Sequence, residues 1–220
     1  MKRTACIIVE HINGVISNCS FELASLAHTS PFRDKYAWIA LMAGHEIEKS
    51  AESFAKKSGV DVVALCSPTL EHYSAEGCTH AFAHAIKELS PALVCANHTP
   101  IGCDFAPALA VACSMHFASG VQNIAIADDA LIMTRERMNG KIREEIRTTE
   151  PTVCTVMPGA YSAAREAVAH GKAIIRHIHL GGVKSSAGEI ITAQREGTEL
   201  TEAEVIVAAG RGVGTPEHMK

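Results

Sequence analysis

Aromatic side chains are scarce in this chain: 5% of its 220 residues, with one tryptophan, Trp38. That scarcity excludes the stacking platforms that hold single-stranded nucleic acid. An excess of one charge is lacking too. Lys and Arg number 20 against 24 Asp and Glu, a formal net charge of −4, and no basic run stands out. We therefore expect no nucleic-acid partner. No stretch approaches the roughly 18 apolar residues of a membrane span, which excludes helical insertion. Met1-Lys2-Arg3 precedes an apolar segment of only residues 4–9, too short for the core of a secretory leader. A cytoplasmic location is expected.

Motifs of direct chemistry are missing as well. There is no Gly-x-Ser-x-Gly elbow, no P-loop, no Ser-Gly-Gly phosphate loop and no His-Glu-x-x-His. Eight cysteines are present without any Cys-x-x-Cys. Cys6, Cys66, Cys95 and Cys154 each sit in an apolar, β-branched run, where a thiol behaves as a small hydrophobe, so reduced and mostly buried thiols are expected. Twelve histidines invite a metal reading. His80 and His84 are spaced for one helix face, His177 and His179 for one strand face, and His98 lies five residues before Cys103. None of these spacings gathers the three or four donors a zinc site needs. No metal ligand and no catalytic residue is assigned.

What is present is strand–helix alternation. Residues 5–9, 62–66 and 92–96 are short and apolar throughout, as strands covered on both faces should be. Helical spacing is read over residues 20–27, 36–42, 46–57 and 74–89, and over 104–116 with Asp104 as N-cap. This predicts an α/β fold, a Rossmann-like three-layer sandwich around a mainly parallel sheet. Residues 130–134, 141–148 and 152–157 read as short strands, with Asn139-Gly140 as a hairpin signal, so a β-meander joined to the main sheet is expected. Residues 173–179 and 190–192 read as further strands, 181–188 as a loop and 194–199 as a linker.

Two loops draw a functional reading. Residues 97–104, Asn-His-Thr-Pro-Ile-Gly-Cys-Asp, stand at the carboxyl end of an expected strand, where open parallel sheets bind ligands; a tight turn is the plainer reading. Near the end, an expected strand over residues 204–209 runs into Gly210-Arg211-Gly212-Val213-Gly214, with Thr215 as N-cap and Pro216 at the first helical position. That is the opening of a nucleotide-type βα unit. Gly-x-Gly-x-Gly is not the dinucleotide fingerprint, so a structural turn and a phosphate cradle both stay open. Lys220 is expected to stand four residues into that helix.

Five stretches, in order, resemble the alpha subunit of electron transfer flavoprotein. They are Ile7-Ile8-Val9-Glu10-His11 with Asn13-Gly14; residues 99–107; Thr134-Arg135 with Asn139-Gly140-Lys141; residues 151–161, including Met157-Pro158-Gly159-Ala160-Tyr161; and residues 200–212. The resemblance implies an adenine-nucleotide hydrolase-like α/β domain over residues 1–200 that packs on a beta subunit. It implies a flavin-binding domain beginning in residues 201–220, in a heterodimer that shuttles electrons from acyl-CoA or other dehydrogenases through FAD. The chain would then be an electron-carrier subunit more than a catalyst. The family's main flavin-binding motifs do not occur here, so Gly210, Arg211 and Gly212 are the only cofactor contacts assigned, at the edge of that domain, and no FAD is expected on the chain alone. Cys103 stands where the family commonly has Arg, which removes a bidentate contact from that loop. Two alternatives stay open: a stand-alone AMP- or ATP-binding protein of the same fold, and a homodimer built on an exposed sheet edge.

Overall fold

The computed structural model describes residues 2–128, 130–149, 151–163, 171–188, 191 and 205–215. Strand β1 (Arg3–Ile8) leads through a short ribbon, β2 (His11–Ile12) and β3 (Val15–Ile16), into α1 (Asn18–Ala24) and α2 (Phe32–Lys35). Then β4 (Tyr36–Gly44), α3 (Glu48–Ser58), β5 (Asp61–Cys66), α4 (Ala75–Leu89), β6 (Leu93–Asn97) and α5 (Pro100–Ala112) alternate. Five strands follow, β7 (His116–Val121), β8 (Asn123–Ala127), β9 (Ala130–Arg137), β10 (Ile142–Thr148) and β11 (Thr152–Val156), and later β12 (Ala173–His177).

Seven of these strands form one sheet in the order β12-β5-β4-β1-β6-β11-β7, every adjacent pair parallel. Both faces of the central strands are covered, which is why β1, β5 and β6 carry apolar runs instead of alternating. Ala5 and Ile7 of β1 point to one face, where Leu23 of α1 and Ala51 and Phe54 of α3 pack. Cys6 and Ile8 point to the other, against Phe82 and Ile86 of α4 and Phe105 and Leu109 of α5. Rings meet on each side, Phe21 with Phe54 at 4.9 Å and Phe82 with Phe105 at 5.4 Å. Burying a side chain of this size contributes about 1.5–3 kcal/mol.

Three expectations need correction. Residues 36–42 are not a helix but part of β4, a central strand paired with β1 and β5. A run that is apolar throughout satisfies helical spacing as well as strand spacing, and only its neighbours decide. Helix α5 begins at Pro100, not Asp104: the Thr99 hydroxyl accepts from the Gly102 N–H at 3.1 Å and Pro100 takes the first helical position. The meander is also regrouped. Hairpin β9–β10 turns at Met138-Asn139-Gly140, but its third strand is β8, in a separate antiparallel sheet ordered β10-β9-β8. Residues 152–156 instead enter the main sheet as β11, between β6 and β7. Strands β7 and β8 carried no separate sequence signal, because the apolar and small residues of 116–127 are broken by polar ones.

These elements form the first of two units, residues 1–187; residues 188–220 form the second. In the second unit, residues 205–209 are exposed and unpaired among the described residues, and residues 211–213 make a single 3-10 turn. An apolar run becomes a strand only when a neighbour completes its hydrogen bonds, and none of the described residues does so here. Ile191 is likewise outside any strand; the linker expected at 194–199, residues 190, 192 and 204 of the expected strands and the helix expected from Pro216 lie outside the described residues.

Candidate functional site

The chain order reverses at β1. Helix α1, on one face, carries the chain from β1 to β4, while α5, on the other face, carries it from β6 towards β7. The carboxyl ends of β1 and β6 therefore splay into a crevice, the usual ligand position in an open parallel sheet. Glu10 follows β1 there. Its carboxylate accepts from the Thr99 hydroxyl, and its N–H donates to Ser20 Oγ at 2.9 Å. Asn97, buried at the end of β6, donates from Nδ2 to the same Ser20 oxygen at 3.2 Å. The next strand, β11, contributes Thr155, whose Oγ1 lies 2.9 Å from His98 Nδ1 and accepts from the Gly120 N–H at 3.1 Å.

Glycine is required where α5 meets β6. A Cβ on Gly102 would stand 1.8 Å from the Asn97 carbonyl oxygen. The close approach turns the start of α5 tightly over the strand end and places Cys103 Sγ 3.3 Å from His98 Nδ1. The five-residue spacing of His98 and Cys103 thus becomes a contact in space. It does not make an activated nucleophile: burial and the neighbouring Glu10 carboxylate both push the Cys103 thiol up. Burial also raises Glu10, an effect opposed by the Thr99 hydrogen bond. Asp104, displaced from its expected capping role, accepts from Tyr73 Oη at 3.0 Å. Burial and this contact keep Tyr73 protonated.

The chemistry available in the crevice is that of a polar, hydrogen-bonded brace. Its named groups supply the carboxylates of Glu10 and Asp104 and no Lys or Arg, and the Gly102 N–H that could meet an anion is held by Thr99. They do not fit the pyrophosphate of FAD or of a nucleotide, which seeks free N–H groups and positive charge.

The Gly210–Arg211–Gly212 loop lies in the second unit. Its turn is closed on itself: the N–H groups of Val213, Gly214 and Thr215 donate to Gly210, Arg211 and Val213 carbonyls at 3.0 to 3.2 Å. Among the other sequence candidates, His80, His84, His177 and His179 line one open groove beside α4, a convergence that spacing alone did not reveal. Cys6, Cys66, Cys95 and Cys154 are buried on strands as expected, and Cys95 and Cys154 face each other across β6 and β11 with 3.6 Å between sulfurs. Burial and the nearby Glu48 carboxylate push Cys66 up to about 11. Ser20, Gly120 and Thr155 were not found from the sequence, since single small polar residues carry no spacing signal.

A family model described as the electron transfer flavoprotein domain matches residues 5–178. The chain belongs to this family. Relatives matched along nearly its whole length include alpha subunits. The electron transfer flavoprotein subunit alpha of Bacillus subtilis is 24% identical over 99% of this chain and 67% of its own length. That of Thermoanaerobacterium thermosaccharolyticum is 26% identical over 96% of this chain and 66% of its own. The subunit LctC of a lactate dehydrogenase (NAD(+),ferredoxin) from Acetobacterium woodii is 27% identical over 96% of this chain but only 52% of its own length. The chain thus spans about two thirds of the two alpha subunits and about half of LctC. Among the described residues, no helix is long and apolar enough to cross a membrane.

Proposed function

We propose that this chain acts as the N-terminal, partner-binding domain of an electron transfer flavoprotein alpha subunit. The observation that carries the proposal is coincidence of extent: the family match, residues 5–178, coincides with the α/β unit of residues 1–187. In this reading the domain is a scaffold. It docks a beta subunit and positions a flavin domain, which begins at about residue 201, so that electrons from acyl-CoA or other dehydrogenases pass through FAD. The redox chemistry is the flavin's, and the protein supplies placement.

The crevice supports a bracing role and not a cofactor role, since it offers a carboxylate where a phosphate would need a cation. Gly210, Arg211 and Gly212 are proposed as the edge of the flavin site. The N–H groups of Val213, Gly214 and Thr215 are donated inward, and in this reading the guanidinium of Arg211 meets a phosphate. A partner surface is supported by apolar side chains left in solvent: Ile12 and Val15 on the β2–β3 ribbon, and Met138 and Ile142 at the tip of the β9–β10 hairpin.

Light scattering of the chain mixed with a beta subunit of the family tests the proposal. A one-to-one heterodimer is expected, and failure to associate at micromolar concentrations overturns it. Titration of the chain alone with FAD, AMP and ATP is expected to show no micromolar binding. Saturable AMP or ATP binding would favour a stand-alone nucleotide-binding protein instead.

A further inference from the structure

At the outer half of the main sheet, away from the crevice, three unlike donor side chains converge. Cys66 is the last residue of β5 and His177 the last of β12, and they are register partners on adjacent parallel strands. Side chains at matched positions on such strands leave the sheet on the same face. That face is covered by α3, whose first residue is Glu48. The Glu48 carboxylate, Cys66 sulfur and His177 ring nitrogen all lie within 4.8 Å of one another.

We propose that Glu48, Cys66 and His177 form a three-ligand site for a divalent transition metal, best suited to Zn2+, with a fourth position open to water. The inference does not depend on the electron-transfer reading. A thiolate, an imidazole and a carboxylate are the mixed donor set of a borderline ion, whereas Ca2+ and Mg2+ take oxygen alone. Zinc bonds to these donors run about 2.0–2.3 Å, which in a tetrahedron sets the donors roughly 3.4 Å apart. Separations within 4.8 Å need close by at most about 1.4 Å to reach that. Glu48 is half-buried and His177 exposed, so both have room to rotate inward, while Cys66 is fixed by the strand. Binding replaces the thiol proton by the metal and releases that proton to solvent, with no change of oxidation state.

The electrostatics are consistent. The amino end of α3 disfavours a cation, but a thiolate and a carboxylate together supply two negative charges against it. Three elements distant in sequence contribute one ligand each, so the ion would tie the edge strand β12 to β5 and to α3. His80, His84 and His179 are not part of the cluster. They line the groove beside α4, and no three-donor set among the described residues includes them.

The test uses the full 220-residue chain, stripped with chelator and titrated with Zn2+ by calorimetry and with Co2+ by absorption. One metal per chain is expected, with a thiolate-to-Co2+ charge-transfer band. Cys66→Ser should abolish that band and weaken Zn2+ binding at least tenfold; His177→Gln should weaken it at least tenfold. His80→Gln/His84→Gln should change neither. Because Cys66 is buried and its variant could fail to fold, circular dichroism accompanies each variant, and the exposed His177→Gln decides alone if Cys66→Ser is unfolded. Absence of stoichiometric Zn2+ binding, or binding unchanged in folded His177→Gln, overturns the proposal. So does loss of binding in the His80→Gln/His84→Gln pair.

Discussion

Replacing Gly102 by Ala probes the joint on which the crevice is built. The new methyl carbon would lie 1.8 Å from the Asn97 carbonyl oxygen, a backbone atom at the end of β6. Ordinary contact begins near 3.4 Å, so α5 and β6 must part by about 1.6 Å in a layer packed at crystal-like density. Overpacking of this kind costs about 1–3 kcal/mol. The same movement pulls the Gly102 N–H from Thr99 Oγ1, and losing such a cap costs about 1 kcal/mol more. The total is about 2–4 kcal/mol. For a chain of this length that corresponds to roughly 5–15 °C in Tm. Thermal unfolding followed by circular dichroism reads it directly. Thr99→Val, which removes the cap together with the hydroxyl's bond to Glu10 but leaves α5 unclashed, should fall by roughly 4–8 °C, and Thr99→Ser should stay near the parent. A Gly102→Ala protein melting within about 2 °C of the parent would refute the close-approach argument.

Other outcomes follow from the same residues. Burial holds His11 below its ordinary value of 6.5, opposed by its contact with the Ala43 carbonyl. A base whose folded value is depressed contributes stability that is present above the unfolded value and is lost as pH falls through it. From pH 7 to pH 5 this group should remove up to about 1.4 kcal/mol per pH unit. Urea midpoints for His11→Gln should therefore fall less over that interval than the parent's; equal slopes would contradict the assignment. In the native chain a thiol reagent should react promptly with Cys103 and more slowly with Cys113, and with the six buried cysteines only after unfolding. Prompt reaction of a third thiol would show that the strand interior is open. Association with a beta subunit and one-to-one zinc binding are the functional counterparts, each with its own variants.

Much of the architecture was legible in the chain. The apolar runs at β1, β5 and β6 announced buried parallel strands, and the stripes over α3 and α4 announced the covering helices, because both patterns are local. Strand β4 was misread because nine apolar residues in a row satisfy both periods at once. Strand β11 reads as part of the meander but pairs with β6 and β7, because pairing is a choice between distant partners. In the crevice, the 97–104 loop was found from its place after a strand. Its supporting residues were not: Ser20 and Thr155 lie 77 and 57 residues from the side chains they brace.

The sequence by itself determined the fold class, the family and the absence of a nucleophile or phosphate-loop motif, since each depends on composition, period or an ordered set of short motifs. Tertiary structure alone decided which chemistry-bearing side chains meet. Glu48, Cys66 and His177 fall into no motif, the first pair standing 18 positions apart and the second 111. They come within 4.8 Å of one another because β12 adds to the sheet edge in register with β5 under the first turn of α3. Sequence spacing reports neighbours along one element; a parallel sheet makes neighbours of residues that no local pattern connects.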